Sequence, residues 1–311
     1  MFNLLSSTLV AEWYHYALII FVALMAAVKV AFQNDFSHKY GKNIADMSFF
    51  MSFAFVLIAI MVCFTIDFSI LPGWETIAMG VAFGLISSVT QVIYTFAMKS
   101  GPISLTVLIT NFAFVVAVVV GAIFWNEQIN IYKWIAFVIL AVAMVLILYK
   151  KPITDATKLE GENKKDSKNL IWIILTALSF AGMAINMLIQ VWHQHIPSIK
   201  AEFSWFVFIS YVVSFVTSLI TIPFTKQKLS FKINKRIICD IIFCAIALGL
   251  HNYIKPLLNN YVENNILQPM SAICLIMFTT MFGLIFFKDK IRKTQWVGIV
   301  LGIVATVLLC I

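Results

Sequence analysis

Ten apolar runs of about twenty residues divide this chain, at positions 13–33, 47–66, 75–97, 103–125, 131–149, 169–190, 203–224, 236–257, 266–287 and 294–311. An α-helix rises about 1.5 Å per residue, so a run of this length spans the roughly 30 Å hydrocarbon core of a bilayer. Lipid offers no partner to a backbone N–H or C=O, so only helices and closed barrels cross it. No run alternates polar and apolar residues in the barrel pattern, so the runs are expected to be helices. With 62% hydrophobic and only 12% charged residues, lipid has to be the solvent for most of the 311 positions. The tryptophans Trp13, Trp74, Trp125, Trp134, Trp172, Trp192, Trp205 and Trp296 stand near run ends, as in the aromatic belt of a spanning protein. The expected fold class is an all-α integral membrane protein with ten transmembrane helices.

The net charge of +8 is a matter of topology rather than of nucleic-acid binding. Basic residues number two in the connection between helices one and two, one between three and four, six between five and six, five between seven and eight, and four between nine and ten. The even connections hold only Lys133, Lys200 and Lys255, and Lys29 lies inside the first helix. Positive residues stay in the cytoplasm, where they also face anionic lipid heads. This asymmetry predicts cytoplasmic odd connections and N- and C-termini on the non-cytoplasmic side. The first residues lack the basic stretch of a cleavable signal. The five cysteines form no C-x-x-C, and neither a disulfide framework nor a metal site follows from them.

The chain also repeats itself. Residues 121–134 (G-A-I-F-W-N-E-Q-I-N-I-Y-K-W) return at a constant offset as 283–296 (G-L-I-F-F-K-D-K-I-R-K-T-Q-W), with Gly121, Ile123, Phe124, Ile129 and Trp134 matched by Gly283, Ile285, Phe286, Ile291 and Trp296. Glu127 is matched by Asp289. Five helices per half is an odd number, so the second half enters the membrane upside down. The charges follow: the loop after helix four has no basic residue, and the loop after helix nine has four. The expected domains are a first five-helix repeat at 1–149, a basic cytoplasmic linker without a fold of its own at 150–168, and a second repeat at 169–311.

The acid after helices four and nine, within W-N-E-Q-I…W-I-A-F-V and F-K-D-K-I…W-V-G-I-V-L-G, resembles the drug/metabolite transporter superfamily in its EamA-type branch. The resemblance covers essentially the whole chain and implies a ten-helix secondary transporter of a small-molecule solute, most often an exporter. Two departures stand out. Helices four and nine lack an interior proline, having only Pro102 and Pro269 near their starts, and members of this size are usually drawn with cytoplasmic termini.

Helices five and ten are apolar all round, which predicts a peripheral, lipid-facing position. Gly298-x-x-x-Gly302 in helix ten allows close approach, either within the chain or in a homodimer. The other helices carry polar residues at spacings of three, four and seven, hence on one face each. Gln91 and Tyr94 lie on helix three, Asn186 and Gln190 on helix six, and His251, Asn252 and Lys255 on helix eight. Lys29 on helix one and Lys255 either snorkel to the interface or face a cavity. Thr110 and Asn111 on helix four face a similar choice, and the serines and threonines of helix seven are expected to bond between helices. The repeat relates Gln91 to His251, and inverted-repeat transporters bind near the midplane between halves. His251 is the candidate for proton coupling, because imidazole titrates near neutral pH.

No Asp or Glu falls in the middle of a run, whereas exporters of lipophilic cations often use such a carboxylate. The expected solute is therefore a small polar metabolite, an amino acid, organic anion or similar, moved by alternating access between helices one, three, four, six, eight and nine, and the resemblance implies export. The chain carries no nucleotide-binding loop, so a gradient or exchange drives it. No cofactor and no nucleic acid is expected. The partners are the solute and the lipid of a bacterial inner membrane, with a monomer or homodimer as the assembly. The rivals are an organic-cation exporter of the same fold, a non-transporting receptor or scaffold, and an enzyme. The enzyme reading rests on His193-x-His195, two histidines without a carboxylate.

Overall fold

A computed structural model of the chain describes residues 12–100, 106, 109–125, 129–148, 162–287 and 293–309. Among these, the secondary structure is helical, with no strand. Ten α-helices follow one another among the described residues: α1 Trp13–Lys39, α2 Ile44–Cys63, α3 Trp74–Ser100, α4 Ala113–Phe124, α5 Ile131–Leu148, α6 Glu162–His195, α7 Phe203–Phe224, α8 Lys235–Leu258, α9 Asn264–Phe287 and α10 Lys293–Leu309. Among the described residues six of them are long and apolar enough to cross a membrane, and shorter apolar helices accompany them. Glu127 and Asp289, the paired acids of the repeat, lie outside the described residues.

Local chemistry sets the ends. Asn43 caps α2, accepting the Asp46 N–H at 2.9 Å, while the Asp46 carboxylate takes the Asn43 N–H at 3.2 Å. Asn234 caps α8 through the Ile237 N–H. These are the reciprocal and single forms of the same device, a side-chain oxygen on a donor that the helix leaves unpaired. α6 departs from expectation, since it begins at Glu162 and not at 169. Glu162 to Asn169 holds Glu and three Lys, which favour a helix, and no Gly or Pro to stop one, so the helix extends through residues assigned to the linker. Pro256 falls in the last turn of α8, where the loss of one donor accompanies the end of the helix at Leu258.

The packing pairs one set of five helices with the other. α1 lies on α8 and α9, and α6 lies on α3 and α4; α2 lies on α7 and α8, and α7 lies on α3; α4 meets α9, and α5 meets α10. Small residues make the closest seams. A Cβ on Gly84 would come within 2.5 Å of the Ser210 carbonyl oxygen, and one on Gly182 within 2.1 Å of Thr90 Oγ1. α5 and α10 pack on each other and on α9, at the edge. Gly302 meets Ile273 and Ala143 of the same chain, so intrachain packing uses this glycine. Among the hydroxyls of α7, Ser214 bonds the Gly84 carbonyl across the seam at 3.0 Å. Ser210 and Thr221 turn back to carbonyls of their own helix, contrary to the expected interhelical bonds.

The connections sort into two ends. At one, Asn43 Nδ2 donates to the Lys228 carbonyl, Ser230 donates to Asp46, and Lys99 Nζ donates to the Gly41 carbonyl. Lys39, Lys42, Lys99 and the basic run from Lys226 to Arg236 therefore gather there. At the other, the Gly73 N–H bonds Glu202, Asn260 bonds Gln194 and Lys133 bonds Glu263. Asp67 belongs to this second end, where the Ser69 hydroxyl and N–H hold its carboxyl below the usual range.

Candidate functional site, a cationic cavity between helices

α1 changes character along its length. Toward the basic end it presents Phe32 and Phe36, and toward the other end Ala23, Ala26 and Ala27. Large rings fill the space between helices where they occur, and alanines leave it open. Phe36 stacks on Phe50 at 4.2 Å between centroids and meets Phe231 edge-on at 5.5 Å. One turn inward, buried Gln33 donates to Thr95 Oγ1 at 2.6 Å. Above that layer a cavity of ≈ 170 Å³ opens between α1, α3, α4, α6, α8 and α9.

Its floor is Lys29. The Nζ donates to Gln91 Oε1 at 2.8 Å and sits 5.2 Å from the centre of the Tyr94 ring. An amide oxygen and an aromatic face steady an ammonium without neutralising it. Lys29 thus faces the cavity instead of snorkelling. The seven other candidates on the walls are Asn111 from the segment before α4, Asn186 and Gln190 from α6, and His251, Asn252 and Lys255 from α8, together with Tyr94 of α3. With Lys29 and Gln91, all nine residues named from the sequence share one lining.

Each wall residue is held differently. His251 Nδ1 lies 3.1 Å from the Val22 carbonyl, and a carbonyl only accepts, so this nitrogen carries the proton in the bond. Asn252 Nδ2 donates to the Tyr211 hydroxyl at 2.6 Å. Beside Asn111 the backbone tightens: the Phe112 N–H reaches the Ile109 carbonyl and the Val115 N–H the Phe112 carbonyl, three residues back instead of four. Irregular backbone at membrane depth is tolerated where it lines a cavity. Lys255 makes no hydrogen bond or ion pair among the described residues.

Some lining residues were not among the candidates. Gln268 and Ser271 of α9 also face the cavity, as does Asn259 one turn beyond Lys255. Asn259 was readable, since it continues the helix-eight face at a spacing of four. Gln268 stands beside Pro269 at the start of a run and reads as a boundary residue. The described lining contains no Asp or Glu. His193 and His195 lie elsewhere: His193 is fully buried against Phe206, and His195 stacks on Trp125 at 4.1 Å. Among the described residues no cluster of His, Cys, Asp and Glu could hold a metal ion.

Two comparisons bear on this arrangement. Residues 13–149 match the EamA-like transporter family, one of the drug/metabolite transporter superfamily. The match covers the first five-helix stretch and leaves the rest of the chain unmatched. A solved crystal structure is similar over 96% of each chain with a TM-score of 0.69 at 12% identity, a likeness of fold. No curated protein matches the sequence. The chain is thus a multi-pass membrane protein, similar over residues 13–149 to a transporter family, with its candidate residues around one cavity.

Proposed function

We propose that this protein is a secondary transporter that moves a small carboxylate-bearing polar metabolite by alternating access. The observation that carries the reading is the cavity itself, with two lysine ammoniums, several amides and no acid in its described lining. An ammonium withdrawn from water costs several kcal/mol unless water or a counter-ion attends it. A solute carboxylate supplies that counter-ion, and a cationic drug would meet like charge instead. The organic-cation reading therefore lacks its carboxylate.

The chain crosses the membrane ten times, as two five-helix halves of opposite orientation. Exchange of each helix with the one five places later maps α1 on α8 and α9 to α6 on α3 and α4, which supports the repeat. The basic end faces the cytoplasm of a bacterial inner membrane, with both termini outside. The solute leaves the cell, driven by exchange or by protons. His251 is the coupling group, with one nitrogen tied to Val22 and the other left for the solute path. Reconstituted vesicles test this. Preloaded organic acids should leave faster than from protein-free vesicles, and an opposing solute or pH gradient should set the rate. Equal rates across a panel of amino acids and organic acids would remove the reading.

A further inference from the structure

The charges of the cavity constrain its solute beyond the presence of one carboxylate. α1 and α8 run antiparallel, since α1 ends and α8 begins at the basic end. The His251–Val22 bond sets their register. Lys29 lies seven residues toward the basic end from that level, and Lys255 four residues toward the other, so their backbones are separated by about 16 Å along the axis. Two long side chains reaching into one cavity from its two ends leave a gap of small-molecule size between the ammoniums. Neither ammonium has an acid beside it among the described residues. A monoanion leaves one charge unmatched, and a dianion matches both.

Unpartnered acceptors in the same lining carry a second constraint. The amide oxygens of Asn259 and Gln268 are buried without a hydrogen-bond partner, and their residues are 5% and 2% exposed. Asn186 Oδ1 is likewise unpartnered. All three residues line the cavity. A buried acceptor without a partner is costly, so these oxygens await a donor from the solute. An ammonium and a hydroxyl both donate. An ammonium would add a third positive charge to a site already holding two, and a hydroxyl adds none.

We infer that the solute is a hydroxylated dicarboxylate, with one carboxylate on Lys29, the other on Lys255, and the hydroxyl donating its one proton to the Gln268 oxygen. This rests on the transport reading above and narrows it. Binding to purified protein, measured by calorimetry, tests it with four acids on one five-carbon skeleton. The probes are 2-hydroxyglutarate, glutarate, 2-hydroxypentanoate and glutamate. The hydroxylated diacid should bind tightest. Glutarate should be roughly tenfold weaker for the lost hydroxyl. The monoacid should be roughly ten- to a hundredfold weaker for the lost charged contact.

K29Q should lower 2-hydroxyglutarate to the level of the monoacid, and Q268A should lower it to the level of glutarate. The order of the four probes on the unaltered protein decides the matter even if a variant does not fold. Glutamate equal to or tighter than 2-hydroxyglutarate overturns the hydroxyl assignment. A monoacid as tight as the diacid overturns the two-lysine assignment. Both outcomes leave carboxylate transport standing. Failure of every acid to bind removes the transport reading as well.

Discussion

The two ends of the helix bundle are built from the same helices and filled in opposite ways. Toward the basic end, Phe36, Phe50, Met51 and Phe231 pack around a buried Gln33–Thr95 bond. Toward the other end, α1 offers alanines and the neighbouring helices offer amides, and a cavity remains. The basic rim is also latched between the two sets of helices. Asp46 accepts both the N–H and the hydroxyl of Ser230, and Arg236 reaches Asp35 at 3.1 Å. The difference teaches that the site is closed by packing on one side, so access to it from the basic end requires loosening that plug.

The largest test removes the plug. Phe36→Ala deletes a fully buried ring stacked on Phe50 and should cost about 3 kcal/mol, the low end for such a change. The low end applies because a lipid-embedded reference state removes part of the transfer term. A fall in thermal midpoint should accompany faster labelling of buried Cys244, kept as the single cysteine. Unchanged midpoint and labelling would show that the ring does not seal this end.

Lys29 marks the boundary between the two regions. Lys29→Gln should weaken binding of a carboxylate solute by roughly ten- to a hundredfold, since a hydrogen bond to a charged group contributes about 1.5–3 kcal/mol. Equilibrium binding checks this, and equal affinity would mean that the ammonium does not meet the solute.

Asp46→Ala loosens the latch without touching the plug. It removes the return half of the α2 capping box and both Ser230 contacts, leaving the Asn43 cap in place, for an expected loss of about 1–2 kcal/mol in unfolding experiments. Labelling of Cys244 should rise less than in Phe36→Ala. A larger rise would place the closure in the rim instead of the aromatic layer.

The smallest effect belongs to the opposite rim. Glu263→Gln breaks the Lys133 ion pair at 3.0 Å, and Glu263 is partly exposed, so the change should stay within about 1 kcal/mol. Asn265 also accepts from Lys133 and keeps that lysine oriented. A much larger loss would make this pair a second latch.

How much of this was legible varies by residue. Gln91, Asn186 and His251 declared themselves, because a polar face at helical spacing has few uses in lipid. Lys29 did not, since snorkelling and cavity-facing orientations share one sequence; the Gln91 oxygen across the gap decides between them. Gln268 was hidden beside Pro269 at a run boundary. The charged segment after Gly161 reads as linker, yet it continues α6, because helix propensity carries on past the point where the hydrophobic signal ends.

The sequence by itself determined the solvent, the helical class and the two charged ends, because length, hydropathy and lysine placement act residue by residue. It also named the polar faces. Only the tertiary structure decided that these faces converge on one cavity, that the described part of it contains two lysines and no acid, and that a layer of rings closes it at the basic end. Those facts depend on distances between helices far apart in the chain, and periodicity within one helix carries no information about what stands opposite it.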